Sequence, residues 1–356
     1  MTGKLTNIDD IGLARGKDGV LHVLWTSGGT NHRLVADTPI SPAGVVGKPV
    51  TIQSHIFAAT NPDATVTPAG LAVFWNAVRS SAPDSQVGTF EATRPSRGGT
   101  WKIGSVTPTT FSWGDFVSAS AGPTGTAWTD FGNSNGIVVH HFGHAPVQLS
   151  FSTCCVNSEG VGIDSKTGTT WVTYLSLRPH HMGLFAQRVT AAGKPSGSPI
   201  LLPTSNEGGS PLTINQRITA TGLGGKRAGV YVTYRTGSPN TRAVDLLELG
   251  SAHPVNIAKF GNVDEAGGST LAADPFGRVW VAWFRLINGR SALWVRRAKS
   301  GASNFGSTDI VKLPAGVHNV WKVYISPQAK KLDIVALLTV RGKVAYWTTQ
   351  VLPPRQ

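Results

Sequence analysis

A short apolar run, which follows a glycine and ends at an aromatic residue, recurs along the chain. Six copies end, in order, at Trp25, Trp75, Phe131, Tyr174, Tyr234 and Trp283, and a degenerate seventh, KLDIVAL, ends at Leu337. Successive ends are 50, 56, 43, 60, 49 and 54 residues apart. A period of about fifty residues is typical of the blades of a β-propeller.

The sixth copy predicts how one unit is built. STLAAD (269–274), RVWVAWF (278–284), SALWVRRA (291–298) and TDIVKLP (308–314) each form a short strand, with turns between them. We label the four strands of such a unit A to D, from the axis outward. Since one small sheet cannot bury both of its faces, neighbouring units must stack against it.

We therefore predict an all-β fold, namely a seven-bladed β-propeller with four-stranded antiparallel blades, in a single domain over residues 1–356. The strand TGKLTNI (2–8) is predicted to supply the missing outer strand of the last blade and to close the ring. The predicted blades span approximately 9–53, 62–105, 114–152, 159–203, 214–258, 268–314 and 319–351.

Composition restricts the class of partner. The 32 basic and 19 acidic residues give a net charge of +13, which favours an anionic partner such as an acidic polysaccharide or glycan. No apolar run reaches the length of a membrane span, so no membrane is expected as a partner. Basic residues interleaved with aromatics are missing, so nucleic acid is not expected either. Few charges and Ser/Thr/Gly-rich loops favour a secreted or extracellular protein, although no signal peptide is recognisable at MTGKLTNIDD.

Two turns resemble a known blade signature. Asp274, Gly277 and Trp280 form D-x-x-G-x-x-W, and Gly168 to Trp171 form G-x-T-W, which are similar to degenerate copies of the Asp-box (BNR repeat) of sialidase-like propellers. The resemblance implies a propeller fold, since Asp-boxes are structural turns. The early Arg-Ile-Pro motif of sialidases has no counterpart here, so sialidase activity is not expected.

Acidic residues gather where inner strands begin. In a propeller, the D-to-A and B-to-C connections share one face, which we call the mouth face, and sites usually lie there. Three successive D-to-A connections carry an Asn or Asp followed by a Glu. Those residues are Asn157 with Glu159, Asn206 with Glu207, and Asp264 with Glu265. Asn and Asp suit tight turns, but a turn does not require Glu, so the three glutamates are predicted as catalytic acids or polar contacts.

Arginines occupy the other loops of the mouth face. Arg178, Arg235 and Arg285 follow B strands, and Arg217 opens an inner strand. Guanidinium groups that converge on one place can bind a carboxylate or a sulfate. The alternative is that these arginines form a solvated rim of charges with no ligand. The predicted function is therefore binding and cleavage of an anionic polysaccharide by a glycoside hydrolase or polysaccharide lyase mechanism. The alternative is a non-catalytic, lectin-like or protein-binding scaffold.

Histidine and tryptophan complete the predicted site. His180 and His181 fall on the mouth face, whereas His140, His141 and His144 fall on the opposite one, so no shared metal site and no cofactor are expected. His181 is predicted as a pocket residue. Trp113 and Trp321 lie near the mouth and are predicted to stack on sugar rings, whereas other tryptophans suit packing between blades.

The two cysteines, Cys154 and Cys155, are adjacent and precede the fourth unit. They either bond as a strained vicinal disulfide or remain two thiols. A vicinal disulfide would stiffen the loop that carries Glu159 and mark the position of the pocket.

Overall fold

The computed structural model consists of β-strands joined by turns. It describes residues 8–28, 33–80, 87–95, 98–108, 118–122, 125–132, 136–141, 145–149, 156–164, 166–178, 181–190, 192, 194–205, 220–223, 229–236, 242–260, 267–287 and 289–353. Within these ranges, no helix is both long and apolar enough to cross a membrane.

The first four blades are four-stranded antiparallel sheets whose strands follow chain order. Blade 1 contains β1 (Ile8–Arg15), β2 (Leu21–Ser27), β3 (Arg33–Ile40) and β4 (Val50–Ile56). Blade 2 contains β5 (Ala58–Val66), β6 (Gly70–Val78), β7 (Val87–Pro95) and β8 (Lys102–Pro108). Blade 3 contains β9 (Ser118–Gly122), β10 (Gly125–Gly132), β11 (Gly136–His141) and β12 (Val147–Gln148). Blade 4 contains β13 (Val156–Ile163), β14 (Thr170–Arg178), β15 (His181–Val189) and β16 (Ile200–Leu201).

Blade 5 keeps this pattern, whereas the last two sheets depart from it. Blade 5 contains β17 (Ala220–Leu223), β18 (Gly229–Thr236), β19 (Ala243–Glu248) and β20 (Val255–Lys259). Blade 6 contains β21 (Ser269–Ala273), β22 (Val279–Ile287), β23 (Arg290–Ser300), β24 (Ser303–Phe305) and β25 (Asp309–Val311), the last two both paired with β23. The last sheet contains β26 (Val317–Pro327), β27 (Leu332–Val340) and β28 (Lys343–Val351).

The prediction of seven four-stranded blades is wrong. Within the described ranges six sheets have four or more strands, and the last sheet has three, so six complete blades are present. Ile8, which was assigned to the closing outer strand, instead begins the inner strand β1 and pairs with Ser27. Residues 2–7 lie outside the described part of the chain. A repeated apolar run marks the B strand of each unit but does not report whether an outer strand is present.

The sheets are arranged in a ring around the inner strands. Each inner strand packs against the next, from β1 through β5, β9, β13, β17 and β21 to β26, and β26 packs against β1. The apolar clusters lie between neighbouring sheets, for example Trp75 and Phe90 of blade 2 against Leu24 and Val35 of blade 1. Burial of apolar side chains on both faces of each sheet is therefore what holds the ring together.

The Asp-box turn of blade 6 shows how sequence determines a turn. Asp274 Oδ1 accepts hydrogen bonds from the backbone N–H groups of Phe276 and Arg278, at 2.9 and 3.0 Å. Gly277 has a φ of 73°, a left-handed conformation that glycine adopts at little cost. The buried side chain of Asp274 also accepts from Arg278 Nε at 2.7 Å. Its role is structural, as the resemblance implied.

Candidate functional site

The mouth face is built from the first residues of the inner strands and the last residues of the B strands. Four inner strands are irregular there. Their pairing shifts after Ile8 in β1, after Thr60 in β5 and after Asn157 in β13, and twice in β26, after Val317 and after Val320. A β-bulge of this kind re-aims side chains and is common next to functional sites.

Two predicted site residues occupy these bulges. The backbone of Glu159 lies in the bulge of β13, between the paired residues Asn157 and Gly160. Trp321 lies in the second bulge of β26, between Val320 and Lys322. For Asn157 and Glu159, the structure describes the backbone and not the side chain.

Trp321 is an exposed aromatic residue of the mouth face, and the structure describes its side chain. Its side chain is 39% exposed, unlike Trp75 and Trp280, which are fully buried. Its indole Nε1 donates to the hydroxyl of Thr339 at 2.7 Å, across the mouth ends of β26 and β27. This bond holds the indole at the mouth ends of the two strands, with part of the ring open to solvent. A fixed, exposed aromatic ring is suited to stacking on a flat ligand.

Arg235 is buried near the mouth end of β18. It is 6% exposed, and burial lowers the pKa of its guanidinium to about 10. The side chain therefore stays charged at neutral pH but is poorly hydrated. Along a strand, residues two apart face the same side, and Thr233 reaches Ser269 of blade 6. Arg235 therefore faces the boundary between blades 5 and 6.

Arg285 approaches the same boundary from the other side. It lies in β22 of blade 6, and its guanidinium carbon is 3.9 Å from the ring centroid of Phe260, which follows the outer strand of blade 5. Trp283, two residues earlier, packs with Leu246 and Tyr231 of blade 5. The structure thus brings two of the four predicted arginines to one boundary, near the mouth ends of their strands.

The remaining predicted residues fall into two groups. The backbones of Arg178 and His181 are paired at the mouth end of β14 and β15, and their side chains are outside what is described. The other predicted positions lie outside the described residues altogether: Glu207, Glu265, Arg217, Trp113, Asn206, Asp264, Cys154 and Cys155.

A buried ion pair near the axis was not predicted from the sequence. Lys322 Nζ of β26 lies 2.7 Å from Asp10 Oδ1 of β1, and both side chains are at most 10% exposed. Asp63, at a comparable place in β5, accepts a hydrogen bond from the backbone N–H of Ala119 in blade 3 at 2.8 Å. These acids join neighbouring inner strands. Acidic residues within the apolar A strands, in IDDIG and NPDAT, were the signal that could have identified them.

Two of the histidines considered in the sequence analysis are described with their side chains. His140 and His141 are buried at the end of β11, away from the mouth face. Among the described residues, no group of three or more His, Cys, Asp or Glu side chains could hold a metal ion.

Comparison with known proteins identifies similar folds. No protein-family model matches the chain, and no curated protein matches its sequence. Solved structures do match. A protein of unknown function from Dyadobacter fermentans superposes with a TM-score of 0.59 at 11% identity, covering 100% of this chain and 97% of that one.

Two of the similar structures are polysaccharide lyases. A PL25 ulvan lyase bound to -[GlcA(1-4)Rha3S]- has a TM-score of 0.58 at 9% identity, covering 99% of this chain and 96% of that one. The polysaccharide lyase Uly1 has a TM-score of 0.51 at 10% identity, covering 99% and 91%. The chain has a β-propeller fold. Identities this low establish the architecture alone, and membership of the sialidase-like group stays a prediction.

Proposed function

We propose that this propeller binds an acidic polysaccharide at its mouth face, at the boundary between blades 5 and 6. The observation that carries the proposal is the approach of Arg235 and Arg285 to this boundary from two different sheets. A guanidinium group binds a carboxylate or a sulfate through paired N–H donors. The propellers of similar architecture include a lyase whose bound oligosaccharide carries a uronate and a sulfated sugar.

Burial of Arg235 supports an anionic ligand over a neutral one. Because burial lowers its pKa to about 10, the guanidinium is destabilised in its charged form and gains more from a nearby anion than an exposed arginine does. The guanidinium of Arg285 lies over the ring of Phe260, a contact that favours its position at this boundary. Trp321, in the bulge of β26, provides an apolar surface for a sugar ring elsewhere on the mouth face.

Binding is tested with polysaccharides that share a backbone but differ in uronate or sulfate content. We expect saturable binding of the acidic forms by calorimetry, weakening as salt is raised. Arg235→Met and Arg285→Met should each weaken it about tenfold. Arg188→Met is the matched control, because Arg188 is exposed at the far end of β15, on the opposite face. Unchanged affinity in both mouth variants, or equal affinity for neutral forms, contradicts the proposal.

Cleavage is a separate part of the proposal, carried by Glu159 and His181. A carboxylate would serve as acid or nucleophile in a hydrolase, and a histidine would abstract the sugar C5 proton in a lyase. The ultraviolet absorbance of an unsaturated uronate reports the lyase reaction, and new reducing ends without that absorbance report hydrolysis. Glu159→Gln and His181→Gln distinguish the two, since each should abolish one reaction. Binding with neither product identifies the lectin-like alternative.

A further inference from the structure

An arginine cluster lies on the face opposite the mouth, at the Asp-box turn of blade 6. The turn supplies Phe276 and Arg278, and strand β23 supplies Arg297, whose backbone is paired with Trp280 of β22. Paired residues on neighbouring strands point to the same side of a sheet. Because Trp280 belongs to the apolar cluster between blade 6 and the last sheet, Arg297 faces that boundary as well. None of these residues belongs to the site proposed above.

Arg297 is a buried cation that lacks an acceptor. The residue is 8% exposed, and its buried Nε has no hydrogen-bond partner in the described part of the chain. Its guanidinium carbon lies 5.2 Å from the ring centroid of Trp280. The adjacent Arg296 is the opposite case, since it donates to three backbone carbonyl groups. A buried guanidinium without acceptors gains from an anion that reaches its remaining N–H donors.

Arg278 places a second positive charge beside Arg297. Its Nε lies 2.7 Å from Asp274 Oδ2, and its side chain is 20% exposed. Among the described residues, no acceptor contacts its Nη groups. Asp274 Oδ2 also lies 3.4 Å from the indole Nε1 of Trp280, the ring over which Arg297 lies. The aspartate and the tryptophan therefore hold the two guanidinium groups as neighbours.

The cluster has an excess of positive charge. Two guanidinium groups share Asp274, whose Oδ1 already accepts backbone N–H groups of the turn. Burial lowers the pKa of Arg297, and the charge of Arg278 lowers it further, whereas Asp274 opposes the shift. Asp309 does not restore the balance, because it lies in β25 on the outer side of β23, whereas Arg297 reaches inward over β22.

We propose that Arg278 and Arg297 bind an oxyanion, namely the carboxylate or the sulfate group of an acidic ligand. Two guanidinium groups offer several N–H donors to one anion, and the anion offsets the excess charge of the cluster. Phe276 lies beside them. It is 67% exposed, and the guanidinium carbon of Arg278 lies 4.9 Å from its ring centroid. The phenyl ring thus supports Arg278 and offers apolar surface to the body of the ligand.

The experiment is a titration of the full chain at low salt with glucuronate, a sulfated glucose and inorganic sulfate, and with glucose as the neutral control. NMR of the ¹⁵Nε signals of arginine follows binding, and Arg278→Lys and Arg297→Lys assign two of those signals. The expected result is a saturable shift of both signals with the anions and none with glucose. Saturation by glucuronate alone identifies a carboxylate ligand, and saturation by the two sulfates alone identifies a sulfate.

Matched variants separate binding from folding. Arg297→Lys keeps the charge but removes the planar set of donors, so it should weaken binding about tenfold. Phe276→Ala removes an exposed ring, so it should weaken binding of the two acidic sugars about threefold and leave inorganic sulfate unchanged. Arg188→Lys is the control, because Arg188 is an exposed arginine on the same face of blade 4.

The result is independent of the site at the mouth. Arg235→Met alters the mouth face, so it should leave the shift of the Arg297 signal unchanged even where polysaccharide binding is lost. No saturable shift of the Arg297 signal overturns the proposal. An equal loss of affinity in Arg188→Lys and Arg297→Lys overturns it as well, since the anions would then respond to surface charge in general.

Discussion

At the scale of single residues, an aspartate at the same turn position is expected to contribute differently to stability in different blades. Asp274 and Asp164 both follow an inner strand and both accept hydrogen bonds from backbone N–H groups of their turn. Asp274 is buried and also accepts from Arg278, whereas Asp164 is half-buried and its side chain bonds two N–H groups, of Lys166 and Thr167. The energetic contribution of an Asp-box residue is therefore set by burial and not by the motif.

Replacement of these two aspartates tests that statement. Asp274→Ala should lower the free energy of unfolding by about 3 kcal/mol, because it leaves Arg278 and the buried indole Nε1 of Trp280 without their acceptor. Asp164→Ala should cost about 1 kcal/mol, since water replaces its bonds. Urea denaturation followed by tryptophan fluorescence measures both. Equal losses in the two variants would show that burial does not separate them.

At the scale of strands, β28 leaves an open edge on the last sheet. It is the outer strand of the three-stranded last sheet, and within the described ranges no fourth strand pairs with it. Apolar side chains lie beside this edge. Ile310 and Leu352 are 75% and 77% exposed, and both line the groove between β25 and the end of β28. An unpaired edge with exposed apolar side chains favours association with other chains.

Charged substitutions at this edge should reduce that association. Ile310→Lys with Leu352→Lys is expected to raise the temperature at which light scattering begins, while the free energy of unfolding changes by less than about 0.5 kcal/mol. Val45→Lys is the control, because Val45 is 68% exposed in a turn of blade 1. The same gain from the control variant would mean that added charge, and not the edge, is responsible.

At the scale of the whole molecule, polar contacts join the two ends of the chain. Arg15 of β1 donates to Ser326 and Asp333 of the last sheet. Asp333 is 1% exposed and also accepts from Gln328 and Gln350, each at 2.6 Å. Together with the Asp10–Lys322 pair, these bonds connect the last sheet to blade 1. They close the ring without a shared sheet among the described residues.

A double-mutant cycle measures this closure. Asp333→Asn should lower the free energy of unfolding by about 3 kcal/mol, because Arg15 keeps its charge and loses the partner. Arg15→Met in the same chain should recover part of that loss, giving a coupling energy of about 1–3 kcal/mol. Purely additive losses would indicate that the pair does not hold the last sheet against blade 1.

The sequence by itself determined where the B strands lie and the order of the units along the chain. A Gly-bounded apolar run forms a B strand wherever it occurs, and a period of about fifty residues leaves room for a small antiparallel sheet. The sixth unit illustrates this, since β21, β22, β23 and β25 lie within or close to the four runs read from the sequence. The glycine and aspartate of an Asp-box also act locally, through one turn.

Tertiary structure alone decided which side chains meet. Arg235 and Arg285 are fifty residues apart and reach one boundary because the two sheets stack. His22, Asp37 and Arg94 come from three strands of two blades, and no spacing in the sequence announces their contact. The number of complete blades was likewise decided by pairing at the end of the chain. Such contacts depend on strand register and on the packing of one sheet against the next, and neither is encoded in a local pattern.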